Sequence, residues 1–222
     1  METQNREYVQ LSTVLPEMVG EKFKVKHYKI PKQWCFRRSE NSHISLDHLI
    51  DHDYTYTKLS DKNGVWMSNT PMETVSNQNF INKANGDVLI FGLGIGLIVF
   101  PLLNCDDVKS ITIVEKEQEL INMVGKHIVS DKVTILLGDA DTMEFDKGIK
   151  FDTIYFDIWQ DISSDNYEHI VALHKRYRKN LNTKNPRKFI DSWLKKHVKS
   201  KHLKYKREEN NWKSILGNPP FL

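Results

Sequence analysis

Asp87-Val88-Leu89-Ile90-Phe91-Gly92-Leu93-Gly94-Ile95-Gly96 decides the fold of this 222-residue chain. A short, uninterrupted apolar run suits a strand buried on both faces of a parallel sheet. The glycines let the chain bend at once into its next element. They also let a ligand approach the backbone, because no Cβ stands in the way. Their spacing is G-x-G-x-G; a dinucleotide fingerprint would need glycine or alanine where Leu97 stands, so an adenosyl-type ligand is favoured over NAD. A glycine triplet alone reads equally well as a structural turn. Its place between a strong strand and a helix start argues for the ligand.

Downstream the pattern is regular. The turn Gly92–Gly96 opens a helix at Leu97–Leu103, Ser110–Glu115 reads as a second strand and Glu117–His127 as a helix. Lys132–Leu137 is a third strand and Phe151–Ile158 a fourth, and Asn166–Leu181 has helical spacing. Strands alternating with helices imply a mostly parallel sheet covered on both faces, with ligands at the carboxyl ends of its strands. Glu115 ends the second strand, where a carboxylate can accept bonds from both hydroxyls of a ribose. Asp139 and Ala140 leave the third strand, where an aspartate can bond an adenine amino group. Asp157 and Trp159 end the fourth. Asp157 can orient or deprotonate a nucleophile or balance a cationic ligand, and Trp159 can form a pocket wall. Each also has a plainer reading: a strand-end acid, a Gly-Asp turn, a cap, a core ring.

Upstream, Phe23–Ile30, Tyr54–Leu59 and Val65–Met67 lean toward β structure, and Arg37–Asp53 reads as loop or short helix. Ser68-Asn69-Thr70-Pro71-Met72-Glu73 then starts a helix running to about Ala84. Thr70 caps it, Pro71 takes its first position and Glu73 returns a bond to the cap. The expected organisation is a β-rich segment with a lead-in helix at 1–84, a Rossmann-like core at 85–181 and a basic helical tail at 182–222. Strand signals stop at 181, so the sheet is expected to be truncated after its fourth strand. N-terminal strands or a second copy of the chain would cover an edge, which makes a homo-oligomer one expectation. Pro186–His202 reads as a basic amphipathic helix and Tyr205–Leu222 as irregular.

Residues 1–174 carry 17 Lys/Arg against 26 Asp/Glu, whereas 175–222 carry 15 against 3. Such a tail, densest over 175–207, can gather nucleic acid, form a solvated helical face or dock on the acidic body. No apolar run is long enough to span a membrane and no secretion signal is seen, so a cytoplasmic protein without membrane association is expected. Cys35 and Cys105 form no disulfide or metal pattern, and His27, His43, His48 and His52 lack metal-ligand spacing, so no metal is expected.

Residues 65–181 resemble the class I S-adenosylmethionine-dependent methyltransferases, and within them the spermidine-synthase-like branch. The residues carrying the resemblance are V-W-M-S-N-T-P-M-E (65–73), V-L-I-F-G-L-G-I-G (88–96), T-I-V-E-K (112–116), L-G-D-A (137–140) and F-D-T-I-Y-F-D-I-W (151–159). The D-I-W-x-D-I run, D-N-Y helix and H-K-R-Y also resemble small bacteriophage proteins assigned to the methyltransferases. The resemblance implies an S-adenosylmethionine-dependent transferase. Gly92, Gly94 and Gly96 would line methionine and ribose, Glu115 would hold the ribose, Asp139 with Ala140 the adenine, and Asp157 would serve cofactor and acceptor. Ser68, Asn69, Thr70, Glu73 and Trp159 would shape the acceptor pocket. The gate before the first strand reads Ser68-Asn69-Thr70-Pro71 rather than Asp-Gly and Gln, and Asp157 has only Asp161 nearby. Both depart from true spermidine synthases. Aminopropyl transfer, cleavage of S-adenosylmethionine and a non-catalytic nucleic-acid-binding role are the alternatives. Asn218-Pro-Pro-Phe221 looks like the base-holding motif of amino-methyltransferases, but it does not follow the fourth strand and reads as coincidence.

Overall fold

A computed structural model describes residues 6–30 and 54–216; the Arg37–Asp53 loop, Cys35, His43, His48, His52 and the Asn218–Phe221 motif lie outside these residues. The chain begins with a short helix α1 (Leu11–Val14) and an antiparallel sheet in the order β1 (Met18–Val19), β2 (Lys24–Ile30), β3 (Tyr54–Asp61), β4 (Gly64–Ser68). Helix α2 (Pro71–Lys83) leads into β5 (Gly86–Phe91). Then follow α3 (Phe100–Leu103), β6 (Val108–Glu115), α4 (Gln118–Met123), β7 (Val133–Leu137), β8 (Thr153–Phe156), α5 (Asn166–Tyr177), β9 (Phe189–Ser192) and α6 (Lys195–Leu216). The second sheet has the order β7-β6-β5-β8-β9, and every pair in it is parallel. This is a Rossmann-like α/β arrangement, whose strand order reverses beside β5.

Alternation along β5 explains how one strand organises two cores. Val88 and Ile90 face a cluster that contains Phe80, Ile81, Ile95 and Val124, whereas Leu89 and Phe91 face Ile154, Phe156, Leu173 and Tyr177. On that second side the Phe91 and Phe156 rings stack at 4.8 Å. The first cluster continues without a break into Leu11, Leu15, Phe23, Val25 and Leu59. The N-terminal sheet therefore shares the hydrophobic core of the parallel sheet. Arg6 strengthens this join: its Nη1 donates to the carbonyls of Ile81 and Ala84 at 2.7 Å, and its Nη2 lies 3.4 Å from Asp107.

Four expectations need correction. The parallel sheet is not truncated after four strands, because β9 adds a fifth: Phe189–Ser192 pairs in parallel with Thr153–Phe156. The segment 186–202 is therefore strand first and helix second. Four residues are too few to separate a buried strand from a helical stripe by periodicity. Leu194, at φ 47°, makes the left-handed turn between them. Residues 205–216, expected to be irregular, continue α6. Finally, Thr70 makes no side-chain cap bond on α2; Glu73 Oε1 instead accepts from Ser68 N at 2.8 Å, two residues before the expected partner.

The Arg6 guanidinium is almost fully buried, and hydrogen bonds to a charged donor are each worth about 1.5–3 kcal/mol. Arg6→Ala should lower the unfolding free energy by about 2–3 kcal/mol in urea titration, with Arg6→Lys recovering part of it. An unchanged midpoint would mean that the N-terminal arm is not docked on α2.

Candidate active site

The bend after β5 is shaped by close approach. Gly92 has φ 97°, and a Cβ there would collide with the Asp157 carbonyl oxygen; Gly94 has φ 50°, and a Cβ there would meet Met67 Sδ. The first constraint brings the end of β8 against the bend, and the second brings β4 over it. Ile95 N–H donates to Met67 Sδ at 3.3 Å, so the N-terminal sheet caps the turn directly.

Glu115 comes to the same place from β6. Its Oε2 accepts the Leu93 N–H at 2.7 Å and its Oε1 accepts the Glu117 N–H at 2.8 Å. A carboxylate has about four acceptor positions, so two remain after these bonds. The side chain is buried in protein yet lines a cavity of about 470 Å³. This cavity lies at the carboxyl ends of β5, β6, β7 and β8, beside the switch point, as expected for a ligand site in such a sheet.

The structure brings most of the expected residues to this cavity. Gly92, Gly94, Glu115, Asp139, Ala140, Asp157, Trp159 and Glu73 all line it. Gly96 is buried just behind the bend. Ser68, Asn69 and Thr70 lie outside its wall. Asn69 is buried, with its Oδ1 accepting from Thr57 N at 2.6 Å, and Ser68 bonds Thr70 and Glu73. These three residues hold β3, β4 and the start of α2 together, and only Glu73 extends into the cavity.

Two acids, Asp157 and Glu73, dominate the end of the cavity formed by β8 and α2. Partial burial raises the Asp157 carboxyl from 3.8 to about 7. Burial raises Glu73 to about 8, the negative charge of Asp157 adds to the rise, and two bonds from Ser68 oppose it. Neither has an ion-pair partner among the described residues. The Tyr8 hydroxyl, pushed up by burial and then by Asp157, donates to the Thr74 carbonyl. The pair thus sits in a low-dielectric setting that disfavours two charges at once and suits a proton or a cation between them.

Asp139 is already engaged. Lys116 Nζ lies 2.7 Å from its Oδ2, and the Asp141 N–H donates to its Oδ1, so its carboxyl sits below the usual range, chiefly through Lys116. The lysine is largely exposed, and such pairs contribute little and open readily.

Trp159 stands in the remaining wall as expected, but its partners His169, Asp141, Trp193 and Trp66 were not anticipated. Trp159 Nε1 donates to His169 Nδ1 at 3.2 Å, and His169 Nε2 lies 2.8 Å from Asp141 Oδ1. Indole N–H is a donor only, so Nδ1 accepts, and the Nε2–H of His169 donates to Asp141 Oδ1. The relay fixes the plane of Trp159. Trp193 closes the floor, its Nε1 donating to Ser76 Oγ at 2.9 Å. Trp66 belongs to the roof, under the Lys22 ammonium that also pairs with Glu117. A His one turn into a helix beside a strand-end Trp was the available hint; the other contacts are purely tertiary.

No protein-family model matches the chain, and no curated protein matches it. Solved structures do match. They include the CcbJ methyltransferase from Streptomyces caelestis (17% identity, 50% of this chain and 46% of that one, TM-score 0.39). Others are the glycopeptide N-methyltransferase MtfA complexed with S-adenosyl-L-homocysteine (19%, 50% and 44%, 0.37) and spermidine synthase from Thermotoga maritima (13%, 57% and 46%, 0.41). This chain spans less than half the length of each.

A carboxyl whose folded pKa exceeds its unfolded value costs stability as pH rises. Below 4.5 Glu73 is protonated in both states; between 4.5 and about 8 the unfolded chain releases a proton that the fold retains, and stability falls. Glu73→Gln keeps an acceptor for Ser68 and removes that loss. Its melting temperature should exceed the wild type's at pH 9 and converge with it by pH 4. A constant difference across this range would show that Glu73 does not titrate as described.

Proposed function

We propose that the chain is an S-adenosylmethionine-dependent transferase that places a methyl group on an amine nitrogen. The observation that carries this reading is the meeting, in one cavity, of the Glu115 carboxylate, the side-chain-free bend at Gly94 and the two acids Asp157 and Glu73. The residues fit the cofactor. Glu115 retains acceptor positions for a ribose diol beyond those used by Leu93 and Glu117. Gly92 and Gly94 would line the methionine and ribose, with Gly96 behind the bend supporting it, and Asp139 with Ala140 would take the adenine edge once Lys116 yields.

When bound, S-adenosylmethionine supplies a methyl carbon made electrophilic by its sulfonium. The chain's own contribution is chiefly alignment and proton management. An amine must lose its proton to keep a reactive lone pair, and a carboxylate with a pKa near 7 is well matched to receive it. Asp157 therefore holds the proton released by the acceptor nitrogen. A cationic amine entering beside Glu73 would draw off the proton that burial keeps there, so the pair favours a cationic over an anionic acceptor, and Trp159 forms the wall against which the acceptor packs. The same acids would serve an amine receiving an aminopropyl group, which is the second reading. The two readings leave different products: S-adenosylhomocysteine for methyl transfer, methylthioadenosine for aminopropyl transfer or cofactor cleavage.

Calorimetric titration should detect S-adenosylhomocysteine binding that Glu115→Ala weakens at least tenfold, with circular dichroism showing the fold retained. Asp157→Asn should leave that affinity within threefold while lowering methyl transfer to putrescine or ethanolamine about 100-fold, in the range expected for loss of a general base. Preference for NAD, or equal binding by the Glu115 variant, would overturn the assignment.

A further inference from the structure

We propose that α6 is a nucleic-acid-binding arm that starts at the rim of the cavity. Its 22 residues contain eight Lys/Arg and two Glu, while residues 1–174 of the same chain are net acidic. The first two turns are seated. Val198 is 2% exposed. Lys201 Nζ donates to the Ile162 carbonyl, His202 Nδ1 lies 3.2 Å from the Ser164 carbonyl, and Lys206 pairs with Glu168 at 3.0 Å. The 160–165 loop contacted in this way leaves the cavity at Gln160, and Trp193, two residues before the helix, lines the cavity.

Lys206 makes the last ion pair with the body among the described residues, and residues 203–212 are all exposed. At about 100° per residue, Lys196, Lys199 and Arg207 fall on one stripe, turned away from Val198 and His202. Among the described residues these three have no acidic partner. They extend over about 16 Å, the length of roughly five base steps. A free helix of this length is marginal in water without packing, so the extension is stabilised by whatever binds it. Unpaired cations in a row call for a polyanion with regularly spaced charges, and phosphate backbones meet that description through counterion release. A second copy of the helix is disfavoured, because two such helices would repel. The exposed rings of Tyr205 and Trp212, 60% and 62% accessible on another side, offer flat faces to bases. The proposal does not depend on the transferase reading, since binding by the arm needs no cofactor.

The test is fluorescence anisotropy of the full chain with labelled 25-nucleotide single-stranded DNA, RNA and a 25-base-pair duplex, between 50 and 300 mM KCl. Three phosphate contacts predict a log–log salt slope of about −2 to −3. Lys196→Glu/Lys199→Glu/Arg207→Glu should weaken binding at least tenfold at 100 mM and flatten the slope, with the melting temperature unchanged because all three side chains are exposed. Three results would overturn the proposal: no binding at 50 mM, an unaffected triple variant, or equal affinity for poly-glutamate. A dimer by light scattering that Tyr205→Ala/Trp212→Ala dissolves and the charge variant preserves would assign the arm to a second copy instead.

Discussion

One hydrogen bond fixes the geometry on which the cavity depends: the Leu93 N–H donating to Glu115 Oε2 at 2.7 Å. A strand that ends in a free backbone donor must satisfy it, since a buried unpaired N–H is costly. Here the partner is a side chain from the neighbouring strand rather than the next turn of a helix. Helix α3 begins only at Phe100, so the bend stays open over several residues. The carboxylate is thereby pinned on one side and available on the other. Glu117, whose N–H takes the second oxygen, ties the start of α4 into the same knot.

Around that knot the walls come from distant parts of the sequence. The N-terminal sheet supplies the roof through Met67 and Trp66, and α4 holds that sheet through Glu119, whose carboxylate accepts from the backbone of Lys22 and Phe23. The end that holds the two acids draws on α2 and β8. Among the described residues its acids have no fixed cation, which concentrates proton affinity at one end of the cavity, while the other end holds the already bonded Glu115 carboxylate. The contrast lies in environment rather than residue type. Glu115 is anchored by two backbone donors, while Asp157 and Glu73 are raised by burial.

What the sequence made legible follows from the range of each signal. The strand–turn–strand core and the glycine bend depend on local alternation and on residues without side chains, and both could be read directly. Glu115 was legible because its strand position relative to the bend sets where it lies. Strand β9 was not, since Phe189-Ile190 is a two-residue apolar signal beside a basic stretch, and its pairing with β8 is decided by tertiary contact. Asp139 was read without its partner: Lys116 is 23 residues away in sequence yet 2.7 Å away across adjacent strand ends. Ser68, Asn69 and Thr70 looked like pocket residues from their place before a helix. Asn69 turns instead to the Thr57 N–H of β3, the Ser68 hydroxyl turns to Thr70 and the Glu73 carboxylate, and only Glu73, one helical turn on, reaches the cavity.

The unbroken cluster from Leu11 and Phe23 through Ile90 to Val124 has a thermodynamic corollary. With no hydrophobic boundary between the two sheets, neither has a private reservoir of stability, so the described chain should melt in one cooperative step. Whatever occupies the cavity then raises the melting point of both sheets together, and a thermal shift recorded from a tryptophan in the roof reports binding at the opposite wall.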